Sequence, residues 1–169
     1  GLGDVYKRQT RDRIYGDCEW LNHKFLLVDT GGIEPNTSDV ILSQMRTQAE
    51  IAISTADVII LVTNIRDGVV ASDYEVATML QKSGKPIVLC VNKCDSIGEP
   101  EPEFYEFYNL GLGDPIQVSS VHGTGTGDLL DAVYDLLPEE ANEDEDNEII
   151  NVAVLSLIHI SEPTRRVVI

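Results

Sequence analysis

Short apolar runs alternate with amphipathic segments along most of the chain. The runs are rich in leucine and β-branched residues, which predicts strands at residues 24–29, 57–64, 86–92 and 115–120. The other segments carry helical periodicity or helix end signals, which predicts helices at residues 38–55, 72–84, 101–112 and 127–138. Buried strands that alternate with helices form a mostly parallel sheet covered on both faces. The pattern therefore predicts an α/β fold.

The helix predicted at 72–84 has the clearest end signals. Ser72 can cap its first turn, and Glu75 then stands at the third helical position. Gly84 follows the last turn, where a left-handed residue commonly ends a helix. We therefore expect Ser72 to be the N-cap.

Residues 139–148 carry seven acidic residues and no basic one, which is typical of a solvated linker. The apolar strand at 149–155 then predicts the first strand of a second domain, so the first domain is predicted to span 10–138. The segments 1–9 and 156–169 extend neither pattern. We expect them to be non-native junction sequence, with ordinary variable termini as the alternative.

Composition narrows the function classes. The 169 residues are 43% hydrophobic, enough for one domain with a real core. The net charge of −17 argues against non-specific binding of nucleic acid, so no direct DNA binding is expected. A nucleoprotein partner could still bind through a local surface patch. No apolar run approaches the roughly 20 residues of a membrane span. Three scattered cysteines, Cys18, Cys90 and Cys94, favour a reducing cytoplasm.

Three predicted strands end in polar clusters: residues 29–32 (DTGG), 92–95 (NKCD) and 119–120 (SS). In an open parallel sheet, ligands bind at the carboxyl ends of the strands. Three separate segments therefore deliver polar groups to one rim, which predicts a shared pocket.

The clusters suit a guanine nucleotide. The Asp95 carboxylate can accept both the N1–H and the 2-amino group of guanine, whereas the N1 of adenine is an acceptor that would repel it. Asn92 can bridge to N7 and to a neighbouring loop, and the Lys93 stem can cover one face of the ring. Backbone N–H groups near Ser120 and Val121 can meet the guanine carbonyl. At the other end of the pocket, a carboxylate in the DTGG cluster can hold a water of a magnesium shell.

These motifs support a resemblance to a known family. The segments TRDR (10–13), DTGG, NKCD and SSVHGTGTGDLLD (119–131) resemble the switch I, DxxG, NKxD and SA-type motifs of P-loop GTPases. They most closely resemble the first G domain of the tandem-GTPase EngA/Der family, over roughly residues 10–155. The resemblance implies a GTP/GDP-binding, Mg²⁺-dependent GTPase that assembles the large ribosomal subunit. It also implies a pre-ribosomal partner, and K⁺ assistance in the intact family.

The resemblance implies roles for individual residues. Thr10 would close on Mg²⁺, and Asp29 would lie on the metal side and reach the ion through a water. The phosphate and switch positions would be Thr10, Asp29, Thr30, Gly31, Gly32 and Ile33, with Ile33 where many GTPases carry a water-orienting Gln. The guanine site would comprise Asn92, Lys93, Asp95, Ser119, Ser120 and Val121.

The sequence departs from the family at the phosphate loop. G-x-x-x-x-G-K-[ST] occurs nowhere in the chain, and the family places this loop and its first strand before Thr10. We therefore expect weak nucleotide binding, no useful hydrolysis, and a sheet that lacks a central strand and exposes an unpaired edge. The alternative is a non-hydrolysing protein-interaction module on a G-domain scaffold.

Overall fold

The computed structural model describes residues 14–30, 41–95, 98–138 and 149–156. In chain order the elements are β1 (Ile14–Trp20), β2 (His23–Asp29), α1 (Ile41–Thr55), β3 (Val58–Asn64), α2 (Ala71–Ser83), β4 (Ile87–Asn92), a 3₁₀ helix (Pro102–Leu110), β5 (Ile116–Gln117), α3 (Thr126–Leu136) and β6 (Asn151–Ser156). The predicted α/β fold is confirmed. The six described strands form one sheet in the order β1-β2-β6-β3-β4-β5, in which, among these strands, the β1–β2 pair alone is antiparallel.

The sheet separates two apolar clusters because β3, β4 and β6 send alternate side chains to opposite faces. One face packs against α1, α2 and the 3₁₀ helix, and its largest buried side chains are Ile59, Leu61, Leu80, Leu89, Phe107 and Leu155. The other face packs against α3 and includes Phe25, Val58, Ile60, Val88, Val133 and Val152. The described helices therefore cover both faces of the sheet, as the strand and helix pattern predicted.

The centre of the sheet is occupied by β6, which pairs in parallel with β2 on one side and β3 on the other. Its side chains Val152, Ala153 and Leu155 are fully buried. The expectation of an unfilled central position is therefore wrong for this chain, because the strand predicted at 149–155 fills it. That this strand begins a second domain stays a prediction.

Strand β1 was missed by the sequence pattern. It forms a hairpin with β2 in which Trp20 faces His23, so the loop consists of Leu21 and Asn22. Both loop residues have positive φ, 50° and 67°, as a type I′ turn requires. Glycine usually marks such turns, and this loop has none. The indole Nε1–H of Trp20 donates to Asp131 of α3 at 3.0 Å, which ties the edge strand to the helix layer.

The end of one predicted helix also needs correction. Helix α2 begins at Ala71, with Val70 rather than Ser72 as its N-cap. The buried Asp73 carboxylate accepts a hydrogen bond from the Val70 N–H at 2.9 Å, because Asp73 is the third helical residue. The predicted end is confirmed, since Gly84 caps the helix at φ 71°.

Two other predicted elements differ in kind or length. The segment predicted as a helix at 101–112 is a 3₁₀ helix, and the strand predicted at 115–120 shrinks to Ile116–Gln117. Cys90 is a buried core residue. Its burial, and to a lesser extent the nearby Cys94 thiol, raises the pKa of Cys90 to about 12. Across the described ranges, no helix is both long and apolar enough to cross a membrane.

Candidate functional site

The carboxyl edge of the sheet gathers the ends of several strands. Asp29 is the last residue of β2, Asn64 of β3 and Asn92 of β4. Because β2, β6, β3 and β4 are mutually parallel, these three residues lie at the same edge. Asp29 and Asn92 belong to strands that are about 14 Å apart across the sheet, with β6 and β3 between them. As predicted, the polar residues at these strand ends therefore lie along one edge of the sheet.

The NKCD segment leaves the sheet through a backbone turn at Lys93. This residue has φ 63°, in the left-handed region that non-glycine residues rarely adopt. The turn is held by hydrogen bonds on both sides, from Asp95 N–H to Lys93 O at 3.0 Å and from Cys94 N–H to Val118 O at 3.1 Å. The Cys94 thiol also donates to Val91 O at 3.3 Å. The strained turn thus brings Asp95 back toward the sheet edge.

Side chains join the NKCD segment to the serine pair that follows β5. Asn92 donates from its amide nitrogen to the Ser120 hydroxyl at 3.2 Å and accepts from the Ser120 N–H at 3.1 Å. The Ser119 hydroxyl donates to Asp95 Oδ1 at 3.0 Å. The structure therefore brings together four of the predicted guanine-site residues. Val121 follows directly and is 83% exposed.

A residue that the sequence analysis missed completes this cluster. Arg66 Nη2 donates to Asp95 Oδ2 at 2.8 Å, and the His122 Nε2 lies 3.9 Å from Oδ1 of the same carboxylate. The hydrogen bonds from Arg66 and then Ser119 hold the pKa of Asp95 below its ordinary value. The sequence contains one pattern that could have pointed to this region, because β3, like β4, ends in a polar residue, Asn64. In the structure the Asn64 side chain accepts a hydrogen bond from the Arg66 N–H at 3.0 Å.

A cleft of about 440 Å³ opens beside Asp95. Its walls are formed by the segment that follows β4 and by the stretch from the end of β5 to the first turn of α3: Cys94, Asp95, Gly98, Gln117, His122, Thr124, Gly125 and Asp128. Of the predicted site residues that the structure describes, Asp95 alone belongs to this lining. Asn92, Ser120 and Asp29 lie outside this cleft, so the cavity borders the polar cluster without enclosing it.

The loop that carries the serine pair depends on a close approach at Gly125. Ser119 and Thr124 exchange two backbone hydrogen bonds, at 2.9 and 3.2 Å, which closes the loop. Gly125 has φ 79°, and a Cβ there would lie 2.0 Å from the backbone oxygen of Gln117. Gly123 has a similar φ of 70° but open space around it. Of these two positions, only position 125 therefore has no space for a side chain.

Gly125→Ala is expected to destabilise the chain more than Gly123→Ala. Both variants force an alanine into the left-handed region, which costs about 1–2 kcal/mol. Gly125→Ala adds the clash with Gln117, so its loss in unfolding free energy should exceed that of the matched variant. Urea unfolding of both variants measures the difference. Equal losses would show that the loop relaxes away from β5.

The phosphate side of the predicted site is described in part. Thr30 is fully buried, and its hydroxyl donates to the Val154 carbonyl of β6 at 2.9 Å. This bond fixes the start of the DTGG segment against the central strand, next to Asp29. Thr10, Gly31, Gly32 and Ile33 lie outside the described residues. In the part of the chain that is described, no group of three His, Cys, Asp or Glu side chains could hold a metal.

The mostly parallel sheet, with polar loops joined at its carboxyl edge, defines a class of protein: the fold is the α/β G-domain fold of P-loop GTPases. Among solved structures, a variant of Aquifex aeolicus Era bound to GDP·AlF4⁻ matches with a TM-score of 0.61 and 24% identity, covering 83% of this chain and 50% of that one. A probable GTP-binding protein engB matches with a TM-score of 0.50 and 19% identity, over 72% of this chain and 80% of that one. At such identities the likeness shows the fold alone.

Sequence comparison gives the family. Residues 4–93, more than half of the chain, match the profile described as 50S ribosome-binding GTPase, so the chain belongs to that family. It is a homologue of GTPase Der, with 59% identity to the protein of Ruminiclostridium cellulolyticum and 58% to that of Acetivibrio thermocellus, each over 146 residues. Each alignment covers 86% of this chain and 33% of the relative. The chain thus spans about a third of the length of these curated relatives.

Proposed function

We propose that this chain is the guanine-recognising part of a GTPase that acts in assembly of the large ribosomal subunit. The observation that carries the proposal is the pair of contacts between the NKCD and serine segments, Asn92 to Ser120 and Ser119 to Asp95. These contacts hold a carboxylate and an amide side by side at the carboxyl edge of the sheet. Kinship with the GTPase Der proteins supports the GTPase assignment. The match to the 50S ribosome-binding GTPase profile supports a ribosomal partner.

The polar cluster would read the base by its hydrogen-bonding edge. The Asp95 carboxylate, ionised at neutral pH as aspartates ordinarily are, would accept from N1–H and the 2-amino group of guanine. Asn92 would keep its bond to Ser120 and present its remaining amide hydrogen toward N7, while the Lys93 stem covers the ring. Adenine offers an acceptor at N1 and would leave the Asp95 carboxylate unmatched, so it should bind less well.

At the other end of the nucleotide, we assign the metal side to Asp29 and Thr10, with Gly32 near the γ-phosphate. Asp29 fits such a role because it ends β2 at the same sheet edge as Asn92, and Mg²⁺ commonly uses one or two protein oxygens plus waters and phosphates. The bound ion would neutralise charge on the phosphates. Ile33, an alkyl side chain, cannot orient water. The potassium-assisted hydrolysis of the EngA/Der family, to which the chain is similar, would then be needed in the intact protein.

We also propose a domain arrangement. Residues 10–138 belong to the first G domain, 139–148 are a linker, and 149–155 are the first strand of a second G domain. In this chain β6 would also complete the sheet of the first domain, which its parallel pairing with both β2 and β3 supports. We place the protein in the cytoplasm, in keeping with its three free cysteines.

Titration with labelled GTP, GDP and ATP tests the function. We expect guanine nucleotides to bind a few-fold better than ATP, with low affinity, and no phosphate release above background, because a phosphate loop supplies most polyphosphate contacts. Fluorescence anisotropy and a phosphate-release assay provide the two measurements. Equal binding of ATP and GTP would contradict the base-site assignment and favour the interaction module. Rapid hydrolysis would contradict the proposed inactivity.

A further inference from the structure

We propose that Arg66 is a built-in competitor of guanine at Asp95, and that it thereby sets the affinity of the base site. The inference rests on the proposed function, since it concerns the same carboxylate. Arg66 follows β3, whereas the other residues of the cluster follow β4 and β5. A third strand end therefore controls access to the base-reading group.

The geometry shows both carboxylate oxygens in use. The Ser119 hydroxyl donates to Oδ1 at 3.0 Å, and Arg66 Nη2 donates to Oδ2 at 2.8 Å. The first bond is compatible with base recognition, because a carboxylate oxygen can accept a second hydrogen bond beside the one from Ser119. The second bond takes the oxygen that the other guanine donor needs.

The chemistry of the two donors explains the competition. The N1–H and 2-amino edge of guanine is itself a guanidine fragment, with two N–H groups on a common carbon. The Arg66 guanidinium presents the same pattern, with the same spacing, and carries a full positive charge. Arg66 thus resembles the base edge that Asp95 would recognise. Binding of guanine requires the Arg66 side chain to leave Oδ2.

The competition is modest and reversible. The side chains of Arg66 and Asp95 are 59% and 40% exposed, so their ion pair is screened by solvent and weak. The backbone N–H of Arg66 remains anchored to Asn64 Oδ1, so the side chain can swing away without disturbing the turn. Removing the side chain is expected to raise affinity for the base about two- to fivefold, the range typical of an exposed pair.

The test compares Arg66→Ala with Arg46→Ala in the full chain. Arg46 pairs with Glu75 at 2.6 Å, with 52% and 48% side-chain exposure, and lies on α1, outside the polar cluster. Both variants lose one exposed ion pair and one positive charge. Guanosine is the probe because it is neutral, so the change in net charge does not alter its attraction. NMR titration should show an about two- to fivefold lower Kd for Arg66→Ala and no change for Arg46→Ala.

Salt dependence distinguishes competition from a structural effect. Raising NaCl from about 0.05 M to about 0.5 M screens the ion pair, so guanosine should bind wild type more tightly while Arg66→Ala changes little. Inosine lacks the 2-amino group and should gain less than guanosine in Arg66→Ala. Equal or weaker guanosine binding by Arg66→Ala, with wild type still binding, would overturn the competition alone. If guanosine and adenosine bind wild type alike, or neither binds, the proposed function fails and the competition with it.

Discussion

Asp95→Asn is expected to lower affinity for guanosine and GDP about three- to tenfold, the same scale as the expected preference for guanine over adenine, because the carboxamide presents an N–H donor to one of two guanine donors. The same variant should gain affinity for xanthosine, in which a carbonyl replaces the 2-amino group. The introduced carboxamide could then donate to that carbonyl and accept from the xanthine N1–H. Parallel titrations with guanosine, xanthosine and their diphosphates measure the loss of one affinity and the gain of the other.

Asp114→Asn is the matched control, since Asp114 is an exposed aspartate outside the described cluster and its change removes one negative charge. It should leave both affinities unaltered. A gain in affinity for xanthosine would also show that the Asp95→Asn variant is folded, because an unfolded variant would bind neither nucleoside. Unchanged guanosine binding by Asp95→Asn would remove Asp95 from the base site.

Leu155→Ala is expected to lower the free energy of unfolding by about 2–5 kcal/mol, the range for truncating a buried leucine. Leu155 is fully buried in the cluster beneath α1 and α2, on the strand that pairs with both β2 and β3. Ile149→Ala provides the control, because Ile149 lies just before β6 and is 67% exposed, so its loss should stay within about 0.5 kcal/mol. Urea unfolding followed by circular dichroism gives both values.

These stability values test where the last described strand lies. If Leu155→Ala costs no more than Ile149→Ala, then β6 is not in the centre of the sheet. The β2 and β3 edges would then be open, as first expected from the sequence. A large loss supports the sheet as described, in which β6, far along the chain, pairs with both β2 and β3.

The local sequence pattern was sufficient to predict those helices and strands whose residues form one continuous stretch with clear end signals. β3 and β4 are largely apolar runs, and Gly84 ends α2 because a left-handed residue is needed there. Strand β1 escaped because its turn uses Leu21 and Asn22 at positive φ, where glycine is the usual signal. Ser72 was a plausible cap, but the helix begins earlier, with Val70 as N-cap and its N–H bonded to the Asp73 carboxylate.

The candidate site likewise contains residues that could be predicted from the sequence and one that could not. Asn92, Asp95 and Ser119 could be predicted because each lies at a strand end in a short, recognisable pattern, and parallel strands must meet at one edge. Arg66 could not be assigned a partner from sequence, because its contact with Asp95 joins residues 29 positions apart through two neighbouring strands. The pairing of the two segments by Asn92 and Ser120 was anticipated only as a bridge to a neighbouring loop.

The order of residues by itself determined the class of fold, the alternation of strands with helices and the polar groups at the strand ends, since each depends on near neighbours in the chain. Tertiary structure decided which strand fills the middle of the sheet and which cation faces Asp95. Both outcomes depend on pairing between distant segments: any parallel apolar strand of suitable length can satisfy the open hydrogen bonds of β2 and β3, and only the folded chain shows that β6 does so.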